Sequence, residues 1–215
     1  ITITPSVDEN ALPSGHNKFE EAIRKDLINY VNFELQRTNQ IAKNVLADPS
    51  VYSIDSEAMQ KELSLIRKYV TDSNEALNKV LPADQLDSNT FFLFVIDKKI
   101  VLGGSNRFRF FEFEAHTPEK QVIWDALKKH GLFASLEEHD KGLNEIVRYL
   151  IDEFEKYVKT LSAAEKEKDK NMREMMAAWN AYKKNEISKL IFGMTLYKIN
   201  ILNKYDDWLR TAFAN

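Results

Sequence analysis

The sequence predicts a mainly α-helical protein: an antiparallel bundle of four to five helices, two of them long, with a small inserted antiparallel β-meander. Three observations predict it. From Leu143 to Tyr182 there is no proline or glycine, and Leu143, Val147, Leu150, Phe154, Tyr157, Leu161 and Ala164 recur in steps of four and three. That coiled-coil-like spacing lines one helical stripe facing other helices. Only 6 Gly and 5 Pro occur in 215 residues, little turn material for a sandwich or a doubly wound fold. Residues 91–115 break the helical texture with a phenylalanine-rich run and then a period-two alternation.

Residues 1–16 hold Pro5, Pro13 and Gly15 among small polar residues and read as an extended lead-in. From Asn17 a helix begins, with Phe19, Ile23, Leu27, Tyr30, Val31, Ile41 and Val45 near one face. Ala47-Asp48-Pro49 ends it, because proline pushes its predecessor out of the helical region. Ser53, Asp55 and Ser56 are candidate N-caps for a second helix from about Ser56 to Leu81. Its stripe is Met59, Leu63, Ile66, Val70, Leu77 and Val80, and Pro82 stops it. A short loop between these two helices implies an antiparallel pair.

Phe91 to Ile96 is an apolar run rich in aromatic and β-branched residues. Asp97-Lys98-Lys99 reads as a turn, Ile100-Val101-Leu102 as a return strand, and Gly103-Gly104-Ser105-Asn106 as a second turn. Arg107-Phe108-Arg109-Phe110 and Phe111-Glu112-Phe113-Glu114 then alternate, with a bulge where the phase shifts. The reading is a β-meander over about 91–115; a buried helix in 91–102 is the competing one. Thr117-Pro118-Glu119 starts a new helix, with a capping hydroxyl, proline at the first helical position and an acid in the first turn. Gly131 stops it.

Residues 143–182 read as one helix with a stutter near the sign-alternating charges of 165–170. A hairpin breaking near Ser162–Lys170 is the alternative. Met172, Met175 and Met176 beside Trp179 have the helical spacing of ordinary core. The last helix, about Asn185 to Phe213, has wide apolar coverage (Ile187, Leu190, Ile191, Met194, Ile201, Leu202, Tyr205, Trp208, Leu209), which calls for a central place or a partner. The organisation expected is an extended segment 1–16 and a single helical-bundle domain 17–215 with the β insertion.

Composition narrows function by exclusion. A net charge of −3 and a pI near 5.9 give no electrostatic case for nucleic acid. The absence of cysteine removes disulfides, thiolate nucleophiles and cysteine metal sites. No run of about 18 apolar residues exists to span a membrane. The chain opens Ile1-Thr2-Ile3 without an initiator methionine, and the lean on compartment is to an exported, periplasmic or secreted, protein.

Four histidines occur, none one helical turn from another. The paired Glu-x-x-His motif of two-metal carboxylate bundles is absent. Glu137-Glu138-His139-Asp140 reads as acids near a helix N-terminus, complementing its dipole. No Gly-x-Ser-x-Gly and no phosphate-cradling glycine pattern is present. No metal and no cofactor are expected, and the balance is against an enzyme.

Arg109 and His116 have six residues between them. The spacing resembles the Arg-x4–6-His element of HEPN-type ribonucleases, small helical bundles that dimerise across it. The resemblance implies a histidine that helps cleave RNA, from a pair set on a helix; here the intervening residues read as strand.

Phe91, Phe92, Phe94, Phe108, Phe110, Phe111 and Phe113 concentrate the aromatic content and are the candidate interaction residues. Long helices bearing such an apolar tongue resemble, in layout, the α-helical pore-forming toxins, which implies membrane insertion. The function expected is a non-catalytic interaction protein that binds another macromolecule, a protein partner, through this aromatic region or the C-terminal helix. A membrane-active bundle is the alternative, and the ribonuclease reading a further one.

Overall fold

Proline, glycine and short polar caps cut the chain into helices, and the computed structural model describes them over residues 18–86, 88–108 and 116–214. Helix α1 is Lys18–Ala47, α2 Glu57–Asn78, α3 Asn89–Gly103, α4 Pro118–Lys129 and α5 Leu132–Lys159. A single turn, α6, spans Ala163–Lys166, followed by α7 Lys170–Lys183, α8 Lys189–Tyr197 and α9 Asn203–Ala212. The protein is mainly helical, and no sheet occurs among the described residues. The extended reading of 1–16 lies outside them.

The cap chemistry is local and specific. Asp48 accepts the Ser50 amide at 3.0 Å and starts a 3-10 turn over Pro49–Tyr52. Ser56 caps α2 and Thr117 caps α4, with Pro118 in the first turn where its missing N–H costs nothing. Gly131, at φ 97, supplies the left-handed residue between α4 and α5.

No strand of the expected β-meander occurs among the described residues. Residues 91–103 form most of α3, and Asp97-Lys98-Lys99 is mid-helix rather than a turn. Phe91, Phe92, Val95 and Lys98 are the buried positions, at helical spacing, while Leu93 and Ile100 are exposed. A helix apolar on nearly all sides shows no period in its sequence, so the aromatic and β-branched content read as strand. Phe108 is also helical; Arg109 to Ala115, the second half of the expected meander, lie outside the described residues.

The long 143–182 helix is likewise corrected. Helix α5 begins at Leu132 and ends at Lys159. Ser162 and Glu165 then form a reciprocal capping box around α6, and Asp169 caps α7 by accepting the Met172 amide at 2.8 Å. Three polar caps break the helix without glycine or proline. The last helix begins at Lys189 rather than near Asn185, which has φ 59 beyond the end of α7. There the Glu186 amide reaches the Ala181 carbonyl at 2.9 Å, a Schellman closure. Between α8 and α9 the backbone widens to a π-turn over Lys198–Leu202.

The chain divides into two compact units. The first comprises Ile28–Pro82 and Leu93–Asp140; the second comprises residues 18–27, Ala83–Phe92 and 141–214. The first unit's core joins Ile41, Val45, Val51, Met59, Leu63, Ile66, Tyr69, Phe108, Ile123, Trp124 and Leu127. The second is dominated by rings. Phe154 sits edge-on to Phe19 at 5.2 Å and to Phe192 at 5.6 Å, and Tyr182 stacks on Phe192 at 5.2 Å. Gly193 lets α8 approach α5 so closely that a Cβ on it would lie 2.6 Å from Val147 Cγ1.

Candidate functional site

Of the four nominated phenylalanines that are described, three face inward. Phe91 and Phe108 are fully buried and Phe92 nearly so. In the second unit, Arg24 lies over Phe91 at 5.0 Å and over Phe92 at 5.6 Å, and its Nη1 donates to the Leu86 carbonyl at 2.7 Å. In the first, Phe108 meets Tyr69 edge-on at 5.3 Å, and Phe94, half-buried, carries the Lys98 ammonium 4.7 Å from its ring. Phe110, Phe111 and Phe113 lie outside the described residues. So does Arg109 of the ribonuclease-like pair, while His116 is exposed and outside any helix.

A contiguous exposed apolar surface lies on α8. On α8, Phe192, Gly193 and Leu196 are buried, whereas Leu190, Ile191 and Met194 are 48–54% exposed. Positions i, i+1 and i+4 share one helical face, so these three form a contiguous outward patch, flanked one turn earlier by the half-buried Ile187. The wide apolar coverage of the C-terminal sequence thus divides into an inner face and an outer one.

The first unit holds an unusual density of buried polar groups along α1: Asn32, Glu34, Arg37, Thr38 and Asn39 are all buried. Arg37 Nη2 donates to Glu34 Oε2 at 2.6 Å, and its guanidinium covers the Phe33 ring at 5.4 Å. His139 Nδ1 stands 3.4 Å from Glu34 Oε1 and 2.8 Å from the Tyr30 hydroxyl. Thr38 and Tyr69 share a hydroxyl–hydroxyl bond, and Asn39 Nδ2 donates to Ser73 Oγ at 2.7 Å. Arg37 Nε and Nη1 have no hydrogen-bond acceptor, and Glu138 Oε2 is 4.0 Å from Nη1. Beside Arg37 is a cavity of about 500 Å³, also lined by Asn39, Gln40, Ile41, Leu77 and Glu138.

Three other charged groups stand out. Lys98 is 1% exposed, donates to Asn32 Oδ1 at 2.6 Å, and is pushed down to about 8 by burial, with the Lys79 charge adding to the effect. Asp26, in the second unit, is pushed up to about 7 by burial. Asp48 is held far below the usual carboxylate range, chiefly by the Lys129 ammonium at 2.8 Å and by the bonds from Ser50, with His130 Nε2 at 2.7 Å. Among the described residues no group of three or more His, Asp or Glu could hold a metal, and no helix is long and apolar enough to cross a membrane.

Sequence reasoning had no signal for the Arg37 cavity. Arg37 sits at a position that reads as the polar side of α1, and only the fold shows that this helix is buried on most sides. Compared with known protein families, characterised proteins and solved structures, the chain matches none.

Proposed function

We propose that this chain is a non-catalytic interaction protein that docks a protein partner on the outer face of α8. The observation that carries this reading is the two-sidedness of that helix, which buries Phe192 and Leu196 while leaving Leu190, Ile191 and Met194 half exposed. Three large side chains at half exposure offer roughly 300 Å² of contiguous apolar surface, the size at which patches on soluble proteins become binding faces. Covering it would contribute about 7 kcal/mol of gross hydrophobic free energy before association costs. The aromatic stretch at Phe91–Phe108 is not part of the reading, because its described rings are already occupied by neighbours.

The test places a photo-crosslinking residue at Ile191, at Met194 and, as a control, at the exposed Glu174 of α7, in the native source. A discrete protein adduct from the first two positions, absent at Glu174 and abolished by Leu190→Glu, supports the reading. Adducts equally strong at all three positions, adducts indifferent to Leu190→Glu, or adducts to lipid alone overturn it. Circular dichroism of Leu190→Glu establishes that helix content is retained.

A further inference from the structure

A different observation, in the first unit, points to a small-molecule site. Arg37 is 5% exposed and lines the cavity described above, yet two of its nitrogens, Nε and Nη1, lack any acceptor. Buried guanidinium donors are almost always satisfied, and one left open implies a missing acceptor. The neighbouring space, about 500 Å³, is far larger than a single water requires and falls in the range of small-molecule pockets.

The charges decide the class of ligand. Glu34, bonded to Arg37 at 2.6 Å, already balances the guanidinium, and Glu138 adds a second carboxylate 4.0 Å from Nη1. That distance is too long for a hydrogen bond. A plain anion would meet two carboxylates, Glu34 and Glu138, beside one guanidinium. A plain cation would leave the Arg37 donors open. A molecule carrying both charges a few ångströms apart satisfies both walls. Gln40 supplies an amide, and Ile41 and Leu77 supply apolar surface for the remainder of the ligand. Glu138 is 47% exposed, so no tight packing resists its rotation to admit a ligand.

We propose that this cavity binds a small zwitterion, an amino acid or a molecule of dipeptide size, with its carboxylate on the Arg37 guanidinium and its ammonium on Glu138.

The experiment titrates the full chain with free amino acids and dipeptides, with their N-acetyl forms (carboxylate only) and with their amides (amine only). Thermal shift and the Arg37 Nε–Hε resonance in nitrogen-edited NMR are the readouts. Zwitterions should raise the melting temperature and move that resonance. Loss of either charge should weaken binding about tenfold or more. Because Arg37→Lys also disturbs the Glu34 pair, Glu138→Gln is the deciding variant: it should fold as the parent does and bind zwitterions about tenfold more weakly. No movement of the Arg37 resonance with any zwitterion at millimolar concentration overturns the proposal. So does equal binding of the N-acetyl forms, or undiminished binding by Glu138→Gln.

Discussion

Replacing Gly193 by alanine sets two effects of opposite sign against each other, and the structure decides between them. In an open helix the change is favourable, by about 1 kcal/mol, because glycine is a poor helix former. Here the new Cβ would lie 2.6 Å from Val147 Cγ1, 3.1 Å from Cγ2 and 3.2 Å from Cβ. Carbon atoms rest at about 3.5–4.0 Å, so α8 and α5 must move apart by roughly 1 Å locally. Val147 is 4% exposed and β-branched, held to one preferred χ1 in a helix, so it cannot turn aside. Overpacking of this kind costs about 1–3 kcal/mol. The net expectation for Gly193→Ala is a loss of up to about 2 kcal/mol. In a Val147→Ala background both Cγ atoms are gone, the 3.2 Å Cβ contact becomes the nearest, and the same change should stabilise by up to about 1 kcal/mol. The coupling between the two sites should be about 1–3 kcal/mol. Urea unfolding of the four proteins, followed by far-UV circular dichroism, measures it. If Gly193→Ala gains about 1 kcal/mol in the parent background, or the coupling is below about 0.3 kcal/mol, the close-approach reasoning is wrong.

Asp26 gives a pH-dependent expectation. Its carboxyl titrates at about 7 in the folded protein against an ordinary value of 3.8, so the native state holds the proton more tightly than the unfolded chain does. The stability this confers is complete below about pH 4 and is lost as pH rises through about 7. Asp26→Asn should therefore be more stable than the parent at pH 8, by about 1–2 kcal/mol once partial screening is allowed for, and no more stable at pH 4. Thermal melts at the two pH values check this, and a pH-independent difference would contradict it. Tyr69→Phe should cost only about 1 kcal/mol in urea unfolding, because Thr38 Oγ1 keeps its 2.9 Å bond to the Glu34 carbonyl and the ring keeps its edge contact with Phe108. A loss above about 3 kcal/mol would mean the hydroxyl supports the wider Glu34–Arg37 network.

How far the fold was legible follows from where its signals are local. The end of α1 at Asp48-Pro49, the cap at Ser56 and the Thr117-Pro118 start each depend on two or three adjacent residues, and each is where the sequence places it. The break after Lys159 was equally local: Ser162-x-x-Glu165 is a capping box. It ranks only as the alternative reading, because an alternating charge run also suits a solvated helical face. Helix α3 is legible only as the reading that competes with the meander, for a different reason. Its apolar residues cover most of its circumference, and Lys98, which reads as a turn residue, is buried against Asn32 and Phe94. Arg37 and Arg67 are indistinguishable in sequence, each within a helix bearing an apolar stripe, yet one is buried and the other exposed. That difference is created only when α1 is covered by its neighbours.

The two units differ in what holds them. The second is organised by the Phe19, Phe154, Trp179, Tyr182 and Phe192 rings, whose edge-to-face and stacked contacts add to area burial. Its outward apolar face on α8 is a continuation of that chemistry. The first unit instead buries Asn32, Glu34, Arg37, Thr38, Asn39, Ser73 and Lys98. A buried ion pair such as Glu34–Arg37 is often no more stabilising than a well-packed apolar substitute, so stability alone does not account for it. A half-satisfied polar network is worse still. The open Arg37 donors therefore argue that this region is shaped for something besides folding. The α8 face and the Arg37 cavity rest on different residues and different physics, so the failure of one leaves the other standing.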